Sequence, residues 1–349
     1  MYRSIGVGLM SVLTSVCDGG GSSQMAQSQN LSELEIQIHQ SLAELKTDSD
    51  FSLSIVAANG RQLIHNRGNF TPETRFRSAS TSKWVTASVI MDLVDIGVLS
   101  LDDHPQDYIS FWPSSGNLSQ ISLRHLLRFT SGLNDEPLCV NLGTANFVDC
   151  VARIAEVNNA TPAPGTEFYY GAAHMQVAGL MAIIASGANS WNEVFSTFQT
   201  AHNLFSSSVY DLPSANNPRL AGGMHVSGSE YLALLDALYR YNILTPTLIE
   251  TMSSDQLEIA EIVYSPAEEG LDVNWHYALG NWIECSGKDC NTSRKFSSLG
   301  AYGAYPFIDR QHGYFGILAR EGTLGSYTEG YAVYSSVEPL LQQWAKLNQ

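Results

Sequence analysis

Basic residues are scarce in this 349-residue sequence: lysine and arginine together number 18, against 34 aspartate and glutamate residues, and the formal net charge is −16. Nucleic-acid binding depends on clustered basic side chains, and the sequence contains no such cluster. We therefore expect no nucleic-acid partner. The acidic excess favours solubility and would weakly repel an anionic substrate.

The sequence also lacks the spacings that usually bind zinc. It contains neither Cys-x-x-Cys nor His-Glu-x-x-His, and its nine histidines are scattered along the chain. We therefore expect no metal ion and no other cofactor.

An apolar stretch near the N-terminus, Ile5 to Val16, is too short to span a bilayer but has the length of a secretory signal core. Cys17 follows it, in a layout that resembles a bacterial lipoprotein signal with a lipidated cysteine. Residues 18–30 are rich in glycine, serine and glutamine and predict a flexible linker. We predict a signal segment at 1–17 and export. Three destinations stay open: the periplasm, the membrane through a lipidated Cys17, and the outside of the cell.

Four further cysteines fall into two close pairs, Cys139 with Cys150 and Cys285 with Cys290. Two local disulfides are expected in an oxidising compartment. Four cysteines allow three sets of pairings, and the sequence alone does not choose among them.

Hydrophobic periodicity predicts helices at both ends of the main domain. Ser32 and Glu35 form a capping box before a helix that runs to about Leu45. Asn59-Gly60 marks a hairpin turn between strands at 51–57 and 61–65. We predict further strands at 277–283, 296–300, 302–308 and 313–319, and a last helix at 336–347.

Residues 101–240 have a helical, loop-rich pattern. The expected fold class is therefore α+β: an antiparallel sheet flanked by N- and C-terminal helices, with an inserted all-helical subdomain. The domain would span 31–349, with its α/β part at about 31–100 and 241–349 and its helical part at about 101–240. The sequence does not predict an oligomeric state.

Only five lysines occur, and one of them, Lys83, lies three residues after Ser80. We predict a helix that begins near Ser80 and ends near Gly97, which places both side chains on one face. The amine could then accept the hydroxyl proton, and the helix N-terminus would favour the alkoxide. Apolar neighbours disfavour the ammonium form and so make the lysine a better base; they are Trp84, Val85, Val89 and Ile90. Taken alone, the spacing also fits a solvated surface lysine.

Ordered segments extend this pattern over most of the chain. They are FRSASTSK (76–83), GVLSLDD (97–103), LLRFTSGL (126–133), PGTEFYY (164–170), AGGM (221–224) and YALG (277–280). Together they resemble the serine β-lactamases and penicillin-binding proteins, above all class C β-lactamases and the related esterases. The resemblance runs from about Phe51 to Ala319 and implies a small-molecule or peptide substrate.

The resemblance also selects a tyrosine. The family tyrosine lies five residues after the glycine of Pro-Gly, which is Tyr170 here, and Tyr169 is left to packing. It would carry the proton to the leaving group, with its pKa lowered by the adjacent lysine cation. The backbone N–H groups of Ser80 and Ala301 would form an oxyanion hole, and Gly300 permits the close approach of the backbone.

Two family side chains are absent. Ala172 replaces the asparagine of Tyr-x-Asn, and Ser298 replaces the cationic residue of Lys-Thr-Gly or His-x-Gly. Lys295 would not restore the cation, because strand alternation puts it on the opposite face from Ser298. His174, one turn after Tyr170, is either a partial replacement for the amide or a structural residue. Aromatic residues near the third motif would line an apolar pocket or fill the sheet core; they are Tyr302, Tyr305, Phe307 and Trp282.

Three functions remain open. The first is an acyl-serine hydrolase that cleaves an ester or amide through Ser80, with Lys83 and Tyr170 as the proton-transfer groups. The second is a β-lactamase or a D-Ala-D-Ala-type peptidase. The third is a non-catalytic binding or scaffold member of the family. The loss of both polar anchors favours a neutral ester or amide.

Overall fold

The computed structural model describes residues 1, 19–257, 259–285 and 290–349. The predicted signal segment, Cys17 included, lies outside the described residues apart from Met1. Among the residues described, no helix combines the length and the hydropathy that crossing a bilayer requires.

The helices are distributed along the whole chain. They are α1 (Gly19–Glu44), α2 (Ser82–Asp95), α3 (Pro105–Tyr108), α4 (Leu123–Leu127), α5 (Phe147–Val157), α6 (Ala173–Ser186), α7 (Trp191–His202), α8 (Gly228–Tyr239), α9 (Pro246–Met252), α10 (Pro266–Leu271) and α11 (Tyr327–Lys346). Short 3-10 turns occupy Ala79–Thr81, Asn117–Gln120 and Leu138–Asn141.

The strands cluster at the two ends of the domain and in short pairs between them. They are β1 (Phe51–Ala57), β2 (Gln62–Arg67), β3 (Arg75–Arg77), β4 (Glu167–Tyr169), β5 (Val209–Tyr210), β6 (Pro213–Ser214), β7 (Asn217–Pro218), β8 (Met224–Ser227), β9 (Glu261–Tyr264), β10 (His276–Tyr277), β11 (Trp282–Ile283), β12 (Lys295–Ser297), β13 (Tyr305–Asp309) and β14 (Tyr314–Arg320).

The main sheet joins the first strands of the chain to the last ones. Its order is β10-β11-β12-β13-β14-β1-β2, and every neighbouring pair is antiparallel. In the central pair, Phe51 lies opposite Arg320 and Ala57 opposite Tyr314. Every residue of β1 and β14 is buried, so both faces of these strands are covered.

Helices from both ends of the chain provide this cover. Helices α1 and α11 pack against each other, and α11 also packs on β13 and β14, whereas α8 packs on β1, β13 and β14. The buried side chains of Leu42 and Leu341 belong to this layer, and Trp344 Nε1 donates to Glu35 Oε1 at 2.9 Å. The prediction of an antiparallel sheet flanked by N- and C-terminal helices is therefore confirmed.

The inserted region differs from the prediction, because it is not all-helical. Strand β8 pairs with β3 and β5, β4 runs parallel to β9, and β6 pairs with β7. These short ladders provide hydrogen-bond partners for the backbone N–H and C=O groups of segments that cross the subdomain. One of them matters for the site: Phe76, just before Ser80, pairs with Val226.

Two helices begin earlier than predicted. Helix α1 begins at Gly19, so residues 19–30 are helical and the linker prediction is wrong for them. The segment contains no proline, and extending a helix costs less than nucleating one. For the same reason α11 begins at Tyr327, well before Ser336.

The predicted strand at 277–283 is instead a tight hairpin of β10 and β11. Gly280 has a φ of +83°, and a side chain there would place its Cβ 2.4 Å from the Cβ of Ala87 and 2.9 Å from the carbonyl oxygen of Lys83. Only glycine therefore fits between the hairpin and α2. The hairpin supports the helix that carries Lys83.

Candidate active site

Ser80 lies in the 3-10 turn that leads into α2, slightly before the first α-helical residue, Ser82. The preceding residue, Ala79, has a φ of 47°, in the left-handed region that residues other than glycine rarely adopt. Both the backbone N–H and the hydroxyl of Ser78 donate to the carbonyl of Met224, at 2.9 and 2.8 Å. These bonds hold the strained turn, and with it Ser80, against β8.

Lys83 lies one turn further on and is buried. Its Nζ is 2.9 Å from Ser80 Oγ and 2.9 Å from the carbonyl oxygen of Ala221. Burial lowers the pKa of Lys83 well below its ordinary value; the Arg219 cation lowers it further, and the Glu136 carboxylate partly opposes both. The amine beside the serine is therefore predisposed to be a neutral base.

Tyr170 completes the group. The Lys83 Nζ lies 4.4 Å from the centre of its ring, and Tyr170 lines the same cleft as Ser80. The ring stacks on Trp282, with centroids 5.1 Å apart, and meets Phe129 edge-on at 5.5 Å. The structure thus brings together the three residues that the sequence predicted.

The prediction that a lysine cation lowers the pKa of Tyr170 is wrong. Burial raises the pKa of Tyr170, and the neighbouring Ser80 hydroxyl offsets this only in part. Burial also lowers the pKa of Lys83, which weakens the cation that would favour a phenolate. Tyr170 therefore stays protonated near neutral pH.

The strand side of the site rests on β12 and the residues that follow it. The Ser298 hydroxyl donates to the carbonyl oxygen of Ser80 at 3.3 Å. A Cβ on Gly300 would lie 2.9 Å from the carbonyl oxygen of Ser78, so a side chain there would push the strand away from the nucleophile turn. Ser298 and Gly300 thus allow the strand to lie close to the turn that carries Ser80, while Ala301 lines the cleft.

Lys295 points elsewhere, as strand alternation predicts. Its Nζ contacts Glu284 at 2.7 Å and Glu338 at 2.6 Å, on the α11 side of the sheet. It therefore does not replace the missing cation of the third motif.

A cleft of about 490 Å³ opens over Ser80. Its walls combine the predicted residues with an aromatic group and an ion pair: Ser80, Lys83, Glu136, Tyr169, Tyr170, Gly171, Ala172, Arg219, Tyr264, Pro266, Leu299, Ala301, Leu324, Gly325 and Tyr327. The aromatic end includes Tyr169 and Tyr264, whose ring centroids are 5.4 Å apart.

Two predicted pocket residues do not line this cleft. His174 is buried, with Nδ1 2.7 Å from Ser131 Oγ and Nε2 2.9 Å from the carbonyl oxygen of Tyr169. Burial lowers the pKa of His174 to about 4, so this neutral ring is structural and cannot replace the missing amide. Tyr302 instead stacks under the guanidinium of Arg77, 4.2 Å from the ring centre. Tyr305, Phe307 and Trp282 belong to the buried sheet core.

Sequence reasoning missed the ion pair. Glu136 Oε1 accepts from Arg219 Nη2 at 2.9 Å, and Glu136 Oε2 accepts from the backbone N–H of Ala172 at 2.8 Å. Glu136 follows the LLRFTSGL segment by three residues, and Arg219 precedes AGGM by two. Proximity to recognised segments was thus the only available signal, because the two residues are far apart in the chain.

The cysteines pair locally. Cys139 and Cys150 are bonded with their sulfurs 2.05 Å apart, and Cys285 is bonded to Cys290. Asp255, His276 and Cys290 have possible ligand atoms within 4.8 Å of one another. Because Cys290 is in a disulfide and His276 Nδ1 lies 2.6 Å from Asp255 Oδ2, this group is already engaged by other bonds.

The chain is similar to known proteins over most of its length. Residues 50–320 match the model of a family described as Beta-lactamase. Penicillin-binding protein 4 of Amycolatopsis lactamdurans is 30% identical over 129 residues, which are 35% of this chain and 32% of that protein. The chain thus matches about a third of that relative's length.

Solved structures show the same architecture. A candidate beta-lactamase from Bacteroides dorei DSM 17855 is 25% identical, with a TM-score of 0.72 over 93% of this chain and 99% of that chain. EstCE1, a hydrolase with promiscuous acyltransferase activity, is 18% identical, with a TM-score of 0.69 over 93% of this chain and 100% of that chain.

Proposed function

Because the chain belongs to the Beta-lactamase family, we propose that it is an acyl-serine hydrolase that cleaves an ester or amide through Ser80. One observation carries the proposal: the buried amine of Lys83 lies 2.9 Å from Ser80 Oγ, at the floor of a cleft. A serine hydroxyl becomes an effective nucleophile when a neutral base accepts its proton. The lowered pKa of Lys83 makes the neutral amine available at a lower pH than for an ordinary lysine.

In the first half of the reaction, Ser80 Oγ bonds to the acyl carbon while Lys83 Nζ takes the hydroxyl proton. The carbonyl oxygen becomes an oxyanion, to which the N–H groups of Ser80 and Ala301 donate. Such a donor commonly stabilises the transition state by about 3–4 kcal/mol. The third-motif strand lies close enough for this role because Gly300 has no side chain.

Collapse of this intermediate breaks the bond to the leaving alkoxide or amine, which needs a proton. Tyr170 supplies it from its phenol, whose raised pKa keeps it protonated, and the Lys83 ammonium provides the replacement. Water then attacks the acyl-serine, with the same groups acting in reverse order. The acid leaves, and Ser80 regains its proton.

The cleft favours a neutral or apolar substrate. Ser298 and Ala172 offer neither the cation nor the amide of the family motifs, and Lys295 is turned away. The other end of the cleft is aromatic, through Tyr264 and Tyr327. EstCE1 has the same fold and is described by acyl transfer, which agrees with an ester or a similar acyl donor.

The position of Arg219 in the cleft favours the second candidate, a β-lactamase or D-Ala-D-Ala-type peptidase, because Arg219 supplies a cation there. Its two terminal nitrogens already contact Glu136 and Asn141, at 2.9 and 2.8 Å. A substrate carboxylate would have to compete with Glu136, so we place this candidate second. Turnover of a chromogenic cephalosporin faster than that of simple esters would reverse the order.

A panel of short p-nitrophenyl esters and D-amino acid amides tests the proposal, with Ser80→Ala as the control. We expect ester turnover by the wild type and at least a thousandfold loss in the variant. Equal rates in the two proteins would reject it, and so would a wild-type protein that no fluorophosphonate labels.

We also propose that the protein is exported and that Cys17 is its point of lipid attachment. The signal-like sequence and the two disulfides support export. Membrane fractions of cells fed with labelled palmitate would contain labelled protein, and Cys17→Ser would abolish the label. An unlabelled wild-type protein in the soluble fraction would reject the anchor.

A further inference from the structure

The ion pair of Glu136 and Arg219 joins segments that carry different parts of the proposed reaction. Glu136 accepts a hydrogen bond from the backbone N–H of Ala172, two residues after Tyr170. Arg219 lies two residues before Ala221, whose carbonyl oxygen contacts Lys83 Nζ. One carboxylate therefore links the tyrosine segment to the segment that orients the lysine.

Both segments are fixed further. The carbonyl oxygen of Arg219 accepts from the N–H groups of Gly222 and Gly223 at 3.0 and 2.6 Å, which closes the turn around Ala221. The other end of its guanidinium donates to Asn141 at 2.8 Å. Asn141 belongs to the 3-10 turn that Cys139 ties to α5 through its disulfide. The ion pair is thus anchored on both sides.

The pair also contributes opposite charges next to a buried amine. The Arg219 cation lowers the pKa of Lys83 and the Glu136 carboxylate raises it. The other titratable groups facing Lys83 are uncharged near neutral pH, because burial raises the pKa of Tyr170 and lowers that of His174. Among the described residues, the balance between Glu136 and Arg219 therefore sets the charge around the amine.

We propose that Glu136 and Arg219 are positioning residues for acyl transfer, which replace the missing amide at position 172 by holding the Tyr170 and Ala221 segments around Lys83 and by balancing the charge there. The inference rests on the proposed acyl-serine function. It explains how the lysine keeps its place without the asparagine that the family resemblance implies. Neither residue needs to touch the substrate.

Removing each charge separately tests the proposal. The rate of ester hydrolysis should rise with pH as Lys83 loses its proton, which gives the pH–rate profile an ascending limb. In Arg219→Gln the remaining carboxylate favours the ammonium, so this limb should move to higher pH by about one unit. In Glu136→Gln it should move to lower pH by a similar amount, and the double variant should lie between them.

Arg219→Lys separates position from charge. It keeps the cation but cannot hold Glu136 and Asn141 at once, so kcat should fall several-fold while the limb stays in place. A purely structural role would lower kcat or thermal stability in all variants without moving the limb in opposite directions. That result, or shifts of the same sign in Arg219→Gln and Glu136→Gln, would overturn the proposal.

A second readout does not depend on turnover. With lysine carrying ¹³C at Cε, the sequence gives five signals, and Lys83→Met identifies the one from Lys83. Its titration should shift in opposite directions in the two single variants. If the two variants shift in opposite directions but the wild-type protein has no hydrolase activity, the proposed function is rejected and the effect of the pair on Lys83 is retained. Unchanged titration in an active enzyme would reject the pair alone.

Discussion

Two lysines in this molecule, Lys83 and Lys295, have opposite pKa shifts. Lys83 is buried beside Ser80, whereas Lys295 is partly buried behind the sheet, and each Nζ lies over a tyrosine ring, at 4.4 Å from Tyr170 and 4.7 Å from Tyr334. Burial alone would lower the pKa of both. It does so for Lys83, whereas for Lys295 the carboxylates of Glu284 and Glu338 outweigh it and raise the pKa.

The difference teaches that neighbouring carboxylates, rather than burial or ring contact, decide whether the pKa of such a lysine is raised or lowered. Lys295 has two carboxylate oxygens within 2.7 Å and is a permanent cation in an ion-pair network. Lys83 has a hydroxyl and a carbonyl oxygen at 2.9 Å, and the Glu136 carboxylate near it is paired with Arg219. The first arrangement suits a structural ion pair, and the second suits the proton-accepting role that we propose for Lys83.

The largest expected effect separates the two lysines by activity. Lys83→Met should lower kcat for a short p-nitrophenyl ester by about 10²–10⁴-fold, because the proton acceptor is lost. Lys295→Met should stay within about twofold of the wild type at a temperature where it is folded, because its ion pairs lie outside the cleft. Comparable losses in both variants would break the comparison.

The second effect separates them by stability. Lys295→Met should lower the free energy of unfolding in urea by about 3 kcal/mol, the low end for a buried pair, because the largely enclosed carboxylates of Glu284 and Glu338 lose their shared cation. Lys83→Met should cost less, since no partner charge is left behind. Replacing both glutamates by glutamine in the Lys295→Met background should restore part of the loss. If it does not, the ion pairs are not the source of the effect.

The third effect concerns the two disulfides, of which the first is linked to the Lys83 site through Asn141 and Arg219 and the second lies near Lys295 and Glu284. Cys139–Cys150 closes a loop with a sequence separation of 11, and Cys285–Cys290 one of 5. Loop entropy predicts losses of about 3 and about 2 kcal/mol when each pair is replaced by serine. The first pair supports Asn141 and the ion pair in the cleft, so its loss should also lower kcat several-fold. A larger activity loss from the second pair would contradict this assignment.

Local sequence patterns predict the three residues that lie together in the cleft but not the residues that surround them. Ser80 and Lys83 are one helical turn apart, and Tyr170 follows a recognisable Pro-Gly, so local patterns located all three. Glu136 and Arg219 meet only through the tertiary fold, and an isolated charge carries no periodicity. The direction of the Tyr170 pKa shift was missed for a similar reason, because it depends on how deeply the phenol is buried.

The fold shows the same limit. Strand β1 was predicted with its observed ends, since Asn59-Gly60 fixes the hairpin that follows. The turn at Gly280 was read as strand, because its positive φ is imposed by contact with α2 rather than by its own neighbours in sequence. Helix α1 extends beyond its capping box, so a cap-like sequence did not mark where the helix begins.

The most direct test of the account is the rate at which a fluorophosphonate labels the protein, followed by peptide mass spectrometry across pH. We predict one adduct, on Ser80, in the wild type and in Lys295→Met, with a rate that rises with pH well below the ordinary pKa of lysine. Lys83→Met should react at least a hundredfold more slowly. An adduct on another residue, or equal rates in all three proteins, would contradict the assignment of Ser80 and Lys83 as nucleophile and base.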